Sequence, residues 1–391
     1  MKKLLGVFII ASIVFSLMPV VFATSVGIGT TPTIETEDFA PMVWMCDDRL
    51  VSDDNVQAGR FGDVGSELFE RVNNYAFEGE QIEWSVLVMD KNGIEKIEDV
   101  FATIGDSQGA GNDIEVNCVF DRVADRVDEE CNARILEEDL TGDDLSDVAG
   151  YYTCTFTVET PESMYGEFWI TVEATDLDGL SGTMDENEFW FLNPIIALGI
   201  TGALTFEDVR PGALSYSDTM LVENDADEGS GVLLDMFISG TDFYDGSSSG
   251  AKCPSTNQLL LSSDGDSDCD YDPSNGFTAG SDDPFCYYAT HGAYSTQDDG
   301  RNDVEGYVGI NYGTSFNALP FGSGNWYGTF NGDTTGYEII QDPSIAAGLI
   351  YFPGNVVSPG SEMALTFRLF LPEPCNGDFD TGSIFFWGEA I

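Results

Sequence analysis

The sequence predicts an all-β protein of two β-sandwich domains in tandem, and three observations carry that expectation. Short apolar–polar alternations recur along the chain, separated by Gly, Pro, Asn and Asp, which is how strands and turns alternate in sandwiches. Asn193-Pro194 breaks the chain between the aromatic run 189–192 and a second apolar stretch at 195–206, because proline has no N–H for a ladder and restricts the residue before it. The cysteines split evenly about that break: Cys46, Cys118, Cys131 and Cys154 precede it, and Cys253, Cys269, Cys286 and Cys375 follow it. Each half is therefore expected to close its own disulfides.

The chain opens with an export signal at residues 1–23. Lys2 and Lys3 lead into an apolar run at 4–22, and Val21-Phe22-Ala23 fits a small-residue cleavage site loosely. A retained anchor and a pilin-type signal are the alternatives. Pro19 and Ala23 speak against the first, and Ala11 sits where the second wants an acid. Cleavage after Ala23 leaves no membrane span. The 391 residues suit two domains, and 42% hydrophobic with 12% aromatic content is enough for packed cores. The net charge of −55 must then lie on folded surfaces, where it repels nucleic acid and anionic lipid and recruits cations. Eight cysteines in an exported chain point to disulfides, and the single His291 cannot complete a Cys/His metal set. No N-x-S/T sequon is present.

The first domain is expected at 38–193. Strands are expected at 41–46, 81–89, 100–104, 114–118, 151–158, 167–174 and 188–192, with a turn at 90–93 and short helices at 66–72 and within 125–140. In the second strand Ile82, Trp84, Val86 and Val88 alternate with Glu83, Ser85 and Leu87. The stretch Gly166-Glu-Phe-Trp-Ile-Thr-Val-Glu-Ala-Thr-Asp-Leu-Asp-Gly179 resembles the penultimate strand and acidic turn of immunoglobulin-like, cadherin-like and PKD-like modules. The resemblance implies an immunoglobulin-like sandwich. Asp90, Asp176 and Asp178 are candidate Ca²⁺ ligands at one end of it, since calcium takes several oxygens. Asp is also simply a good turn residue.

The second domain is expected at 194–391, with strands at 203–206, 217–223, 232–238, 362–371 and 383–387. An acidic, glycine-rich insertion is expected at about 245–336. Within it DGDSDCDYD places Asp264, Asp266 and Asp268 as at the start of an EF-hand loop. Cys269 and Asn275 then occupy the positions that need Gly and Glu, so it is not an EF-hand, and loose calcium binding or a solvated loop remain. Val209-Arg-Pro-Gly212 with Leu221-Val-Glu-Asn224, and Pro359-Gly360 with the strands that follow, resemble TasA/camelysin-like fibre subunits, which implies a jelly-roll-like fold. The segment Cys375 to Gly382 resembles one found in exported two-domain surface proteins of small-genome archaea. No biochemical activity attaches to either resemblance.

No reaction is legible. His291 lies in a turn-like stretch without a nucleophile motif. With 69 acidic residues any carboxylate pair is possible, so glycosidase geometry has no specificity here. Trp326-Tyr327 and Tyr287-Tyr288 offer rings for sugar stacking, although aromatics in β-rich chains more often fill cores. The expectation is a non-enzymatic, secreted structural protein of the cell surface. It would be a subunit of a filament or surface layer, with itself as partner. The alternative is a carbohydrate-binding adhesin or glycoside-acting enzyme whose partners are surface glycans.

Two finer expectations follow. Four cysteines per half allow three pairings each. A short loop favours Cys118–Cys131, with Cys46–Cys154; Cys269–Cys286 is expected to close the acidic insertion, and Cys253–Cys375 to tie its base to the last strand region. The segment 24–37 precedes the first domain's strands, and within it Val26, Ile28 and Thr30 share one face. Such a strand suits addition to an edge strand of another copy. The TasA-like resemblance also implies N-terminal strand donation; a plain terminal tail is the other reading.

Overall fold

The computed structural model describes residues 29–46, 50–53, 68–128, 131, 145–184, 188–246, 253, 258–261, 269, 284–296, 306–313, 337–340 and 353–391. Residues 39–391 form one compact unit, and residues 29–38 precede it in the chain. The latter carry no regular secondary structure and are exposed.

The protein is all-β, as its alternation predicts. Strand Glu80–Met89 is the spine of one layer and pairs antiparallel with Met42–Met45, Leu50–Asp53 and Ala149–Thr157. A second layer joins Ile97–Gly105, Gly166–Asp176 and Glu188–Leu192. Strand Ile114–Val123 belongs to both layers. Its first residues pair with Ile97–Gly105, and from Cys118 onward it pairs with Ala149–Thr157. Ile82, Trp84, Val86 and Val88 face Ala102, Ile104, Ile170 and Val172 in a common core. Leu87 points the other way but is also buried, in a smaller cluster with Cys46, Met89, Cys131 and Tyr151.

Beyond Asn193 a second pair of layers forms. Strand Glu362–Leu371 pairs with Met220–Asn224, Ala213–Tyr216 and Phe285–His291. Opposite it, Leu234–Gly240 pairs with Val356–Val357, Tyr337–Glu338 and Ile384–Ala390. The two Pro-Gly turns that the sequence marks are tight turns. Ala213 N–H donates to Arg210 O at 3.0 Å, and Ser361 N–H to Ser358 O at 2.9 Å. Gly212 and Gly360 sit at φ 73° and 72°, a conformation that suits glycine at the third position of such turns. Asn224 is fully buried and closes the core edge: its Nδ2 donates to Val232 O and Val357 O at 2.9 and 2.8 Å.

Several expectations are corrected. Leu68–Val72 is a strand against Leu50–Asp53, where a helix was expected at 66–72; ladder pairing outweighs the modest helix propensity of Leu, Glu and Arg. Residues 125–128 are not helical, and most of 129–140 lies outside the described residues. In the stretch 195–206 only Leu198–Thr201 is a strand. The stretch 245–336 is not merely an insertion, because Phe285–His291 is a core strand with Phe285, Tyr287 and Ala289 buried. Acidic composition on either side hid that strand from the sequence reading.

Among the described residues no strand ladder crosses Asn193, yet the two halves share apolar packing. Tyr75–Ala76 pairs parallel with Phe191–Leu192. Successive strand residues point to opposite faces. Ala76 and Leu192 therefore enter the first core, while Tyr75 and Phe191 enter the second. Asn193 adopts φ 51°, and its Nδ2 donates to Glu159 O and Met164 O at 2.9 and 2.6 Å.

Candidate functional site

Three groups of polar residues stand out, and the sequence foresaw one of them. The first lies at one end of the layers formed by the strands before Asn193. The turn after Glu80–Met89 is closed by Asp90, whose Oδ1 accepts the Asn92 N–H at 2.7 Å. The turn after Gly166–Asp176 is closed by Asp176, whose Oδ1 accepts the N–H groups of Asp178 and Leu180 at 2.9 and 2.7 Å. The 3-10 turn Ile94–Lys96 joins them. Its Lys96 N–H donates to Gly93 O at 2.9 Å, and Leu177 N–H donates to Lys96 O at 2.8 Å. Lys96 Nζ lies 2.9 Å from Asp178 Oδ2 at the partly exposed rim. Burial raises the pKa of Asp90; the Asn92 N–H opposes this, Asp176 adds to it, Lys96 opposes and Asp178 adds. The structure thus brings Asp90, Asp176 and Asp178 into one electrostatic group. Among the described residues no three acidic, His or Cys side chains form a ready metal cage. Asp264, Asp266 and Asp268 lie outside the described residues.

The second group escaped the sequence reading. Asp235 and Glu338 sit on paired strands of the second core and are 2% and 5% exposed. Asn355 Nδ2 donates to Asp235 Oδ1 and to Met236 O, each at 2.6 Å, and its Oδ1 accepts the Ile340 N–H at 3.0 Å. Burial pushes Asp235 up to about 7 against the Asn355 and Met236 hydrogen bonds. Burial, then the nearby Asp235 and Glu389 carboxylates, push Glu338 up to about 9. At neutral pH the pair retains a proton. Period-two alternation places Asp235 on the face opposite the core residues Leu234, Met236 and Ile238, so nothing local records its burial or its distant partner.

The third group is the junction between halves. Tyr75 Oη donates to Ile391 O at 2.6 Å, and Asn73 Nδ2 reaches the same oxygen at 3.4 Å. Tyr165 Oη donates to Asp227 Oδ2 at 3.0 Å, and that oxygen also accepts the Ile195 N–H at 2.8 Å.

The cysteines form four disulfides within the halves, and none is free. Cys253–Cys375 and Cys269–Cys286 are the pairs expected for the acidic stretch and its base. The first half differs: Cys46 joins Cys131 and Cys118 joins Cys154. Cys118 and Cys154 stand directly opposite each other on adjacent strands, with Cα atoms 4.1 Å apart, so register decides the pairing and loop length does not. Arg368, 1% exposed, donates from Nη2 to Cys269 O at 3.2 Å and also contacts Cys269 Sγ, holding the second disulfide to strand Glu362–Leu371.

Other sequence candidates separate. Tyr287 is core, its hydroxyl donating to Ile339 O at 2.8 Å, and cannot stack on a sugar. Tyr288 is half-buried, with its ring 5.6 Å from that of Tyr307, which in turn lies 5.9 Å from Tyr216. His291 ends strand Phe285–His291, its Nδ1 3.1 Å from Gly354 O. Trp326, Tyr327, Val26 and Ile28 lie outside the described residues, and Thr30 is exposed in the unstructured segment.

No family model matches the chain, and no curated protein matches it. Among solved structures it is similar to the C-terminal domain of the AgI/II polypeptide BspA of Streptococcus agalactiae, at 10% identity over 90% of this chain and 97% of that one, with a TM-score of 0.30. It is also similar to a chaperone–tip adhesin complex of CFA/I fimbriae, at 9% identity over 91% of this chain and 92% of that one, with a TM-score of 0.21. Likeness at this level assigns neither family nor function. No helix among the described residues is long and apolar enough to cross a membrane.

Proposed function

We propose that the chain is an exported structural subunit of a cell surface, polymerising by β-strand addition. The observation that carries the proposal is the shared packing of its halves. Tyr75 and Phe191 leave the first sandwich to enter the second core, and Ile391 is bonded back to Tyr75 and Asn73. Two sandwiches joined in this way resist relative motion, which a load-bearing subunit needs and a freely linked pair of modules lacks. Four disulfides fit an oxidising exterior and restrict the unfolded chain.

One edge strand fits the role of acceptor. Among the described residues, strand Leu198–Thr201 pairs on one side only, with Met220–Asn224. Ile195, Ile196 and Ile200 near it are 56%, 42% and 54% exposed. An edge strand with exposed isoleucines invites a further strand. Residues 24–33 of another copy, with Val26, Ile28 and Thr30 on one face, have the alternation to supply it. Head-to-tail addition propagates when its rotation does not close. Calcium-bridged contacts between acidic surfaces are the other mode of assembly. Light scattering of the secreted protein with and without residues 24–33 tests strand addition. Loss of polymer with both halves still folded is expected; undiminished polymer would leave side-to-side packing.

A glycan-binding reading rests on one observation, the neighbouring Tyr216, Tyr307 and Tyr288 rings, with Tyr216 52% exposed. Exposed tyrosines offer flat apolar faces beside a polar tip, which suits sugars. A glycan array with a Tyr216→Ala control tests it.

A further inference from the structure

Asp90 is fully buried, and among the described residues its Oδ2 has no hydrogen-bond partner. Its other oxygen is held by the Asn92 N–H, so the carboxylate cannot swing out without breaking the turn. A buried acceptor without a donor is costly, and more so when charged. The charged groups acting on it are Asp176, Lys96 and Asp178, which with Asp90 make three negative charges against one positive. Lys96 is already engaged by Asp178 at the rim. The orphaned oxygen therefore has two remedies: a proton, or a cation of charge two, which would neutralise the whole group.

We propose that Asp90 Oδ2 ligates one calcium ion seated between the turns at Asp90 and Asp176, within the body of the first sandwich and not between subunits. Asp176 and Asp178 contribute charge, and waters and turn carbonyls complete the oxygen shell. Calcium accepts such a mixed, irregular shell of six to eight oxygens. Magnesium demands regular octahedral geometry and sheds its waters reluctantly, so it should compete poorly. The site ties the ends of the two layers together, since Asp90 follows a strand of one layer and Asp176 ends a strand of the other. It does not depend on polymerisation and is separate from the acidic run at 264–272.

The test is thermal melting of the oxidised full chain in about 5 mM calcium, in magnesium, and in sodium chloride of matched ionic strength. Calcium should raise the midpoint of the wild type by about 2–4 °C beyond the sodium control, with magnesium giving less. Asp90→Asn keeps an acceptor for Asn92 and removes the buried charge. It should melt no lower than wild type without calcium and lose the calcium-specific shift. Asp178→Asn, at the exposed rim, should fold normally and show a reduced shift, which covers the case of a poorly folding Asp90 variant. A triple Asp264→Asn, Asp266→Asn, Asp268→Asn variant should keep the shift. If wild type responds equally to calcium and sodium, the oxygen is met by a proton and the site does not exist. A calcium-specific shift that survives undiminished in Asp90→Asn and Asp178→Asn would equally overturn it.

Discussion

The hydroxyl of Tyr75, in the first half of the chain, donates a 2.6 Å hydrogen bond to the main-chain oxygen of Ile391 at its far end. Tyr75 is wholly buried, and its ring belongs to the second core. The contact is expected to make the halves unfold together. Wild-type protein with disulfides intact should show a single calorimetric transition. Tyr75→Phe removes only the hydrogen bond and should cost about 0.5–1.5 kcal/mol. Tyr75→Ala also empties the ring's volume, should cost about 3–5 kcal/mol, and should split the transition in two. Two transitions already in the wild type would show that the junction does not couple the halves.

Asp235 and Glu338 make stability depend on pH in a defined direction. Both hold protons in the folded chain at pH values where the unfolded chain has released them, with folded pKa values of about 7 and about 9. Their contribution is complete below the ordinary carboxylate range and is lost as pH rises through those values. Denaturant midpoints should therefore fall from about pH 5 to about pH 9. The net charge of −55 acts in the same direction, so the slope alone is not diagnostic. Glu338→Gln keeps the volume without the titration and should flatten the slope. An unchanged slope would place the pH dependence elsewhere.

Non-reducing peptide mapping should recover Cys46–Cys131, Cys118–Cys154, Cys253–Cys375 and Cys269–Cys286. Replacing Cys118 and Cys154 together by Ala should cost about 2–5 kcal/mol. A Cys118–Cys131 bond would contradict the strand register, and a bond joining the two halves would contradict their separate closure.

Much of the fold was legible where local chemistry decides it. Strand Glu80–Met89 announces itself by Ile82, Trp84, Val86 and Val88, and the turns at Gly212 and Gly360 by Pro-Gly. What was not legible depends on distant partners. Leu68–Val72 has helix-compatible residues, and only Leu50–Asp53 makes it a strand. Cys118 and Cys154 are paired by register, which loop length cannot reveal. Strand Phe285–His291 is flanked by acidic, glycine-rich chain that masks a core position. At the candidate sites, the turn positions of Asp90, Asp176 and Asp178 suggested a shared end of the sandwich. Asp235 and Glu338 are 103 positions apart in the sequence, and no local pattern records that they meet.

Negative-stain microscopy of the purified protein beginning at Thr24 tests the central claim most directly. A structural subunit that adds residues 24–33 to the edge at Leu198–Thr201 of the next copy should give filaments or sheets of regular repeat. Deleting 24–33 should return single particles. Monodisperse single particles from the intact protein at every concentration, with or without calcium, would contradict the account.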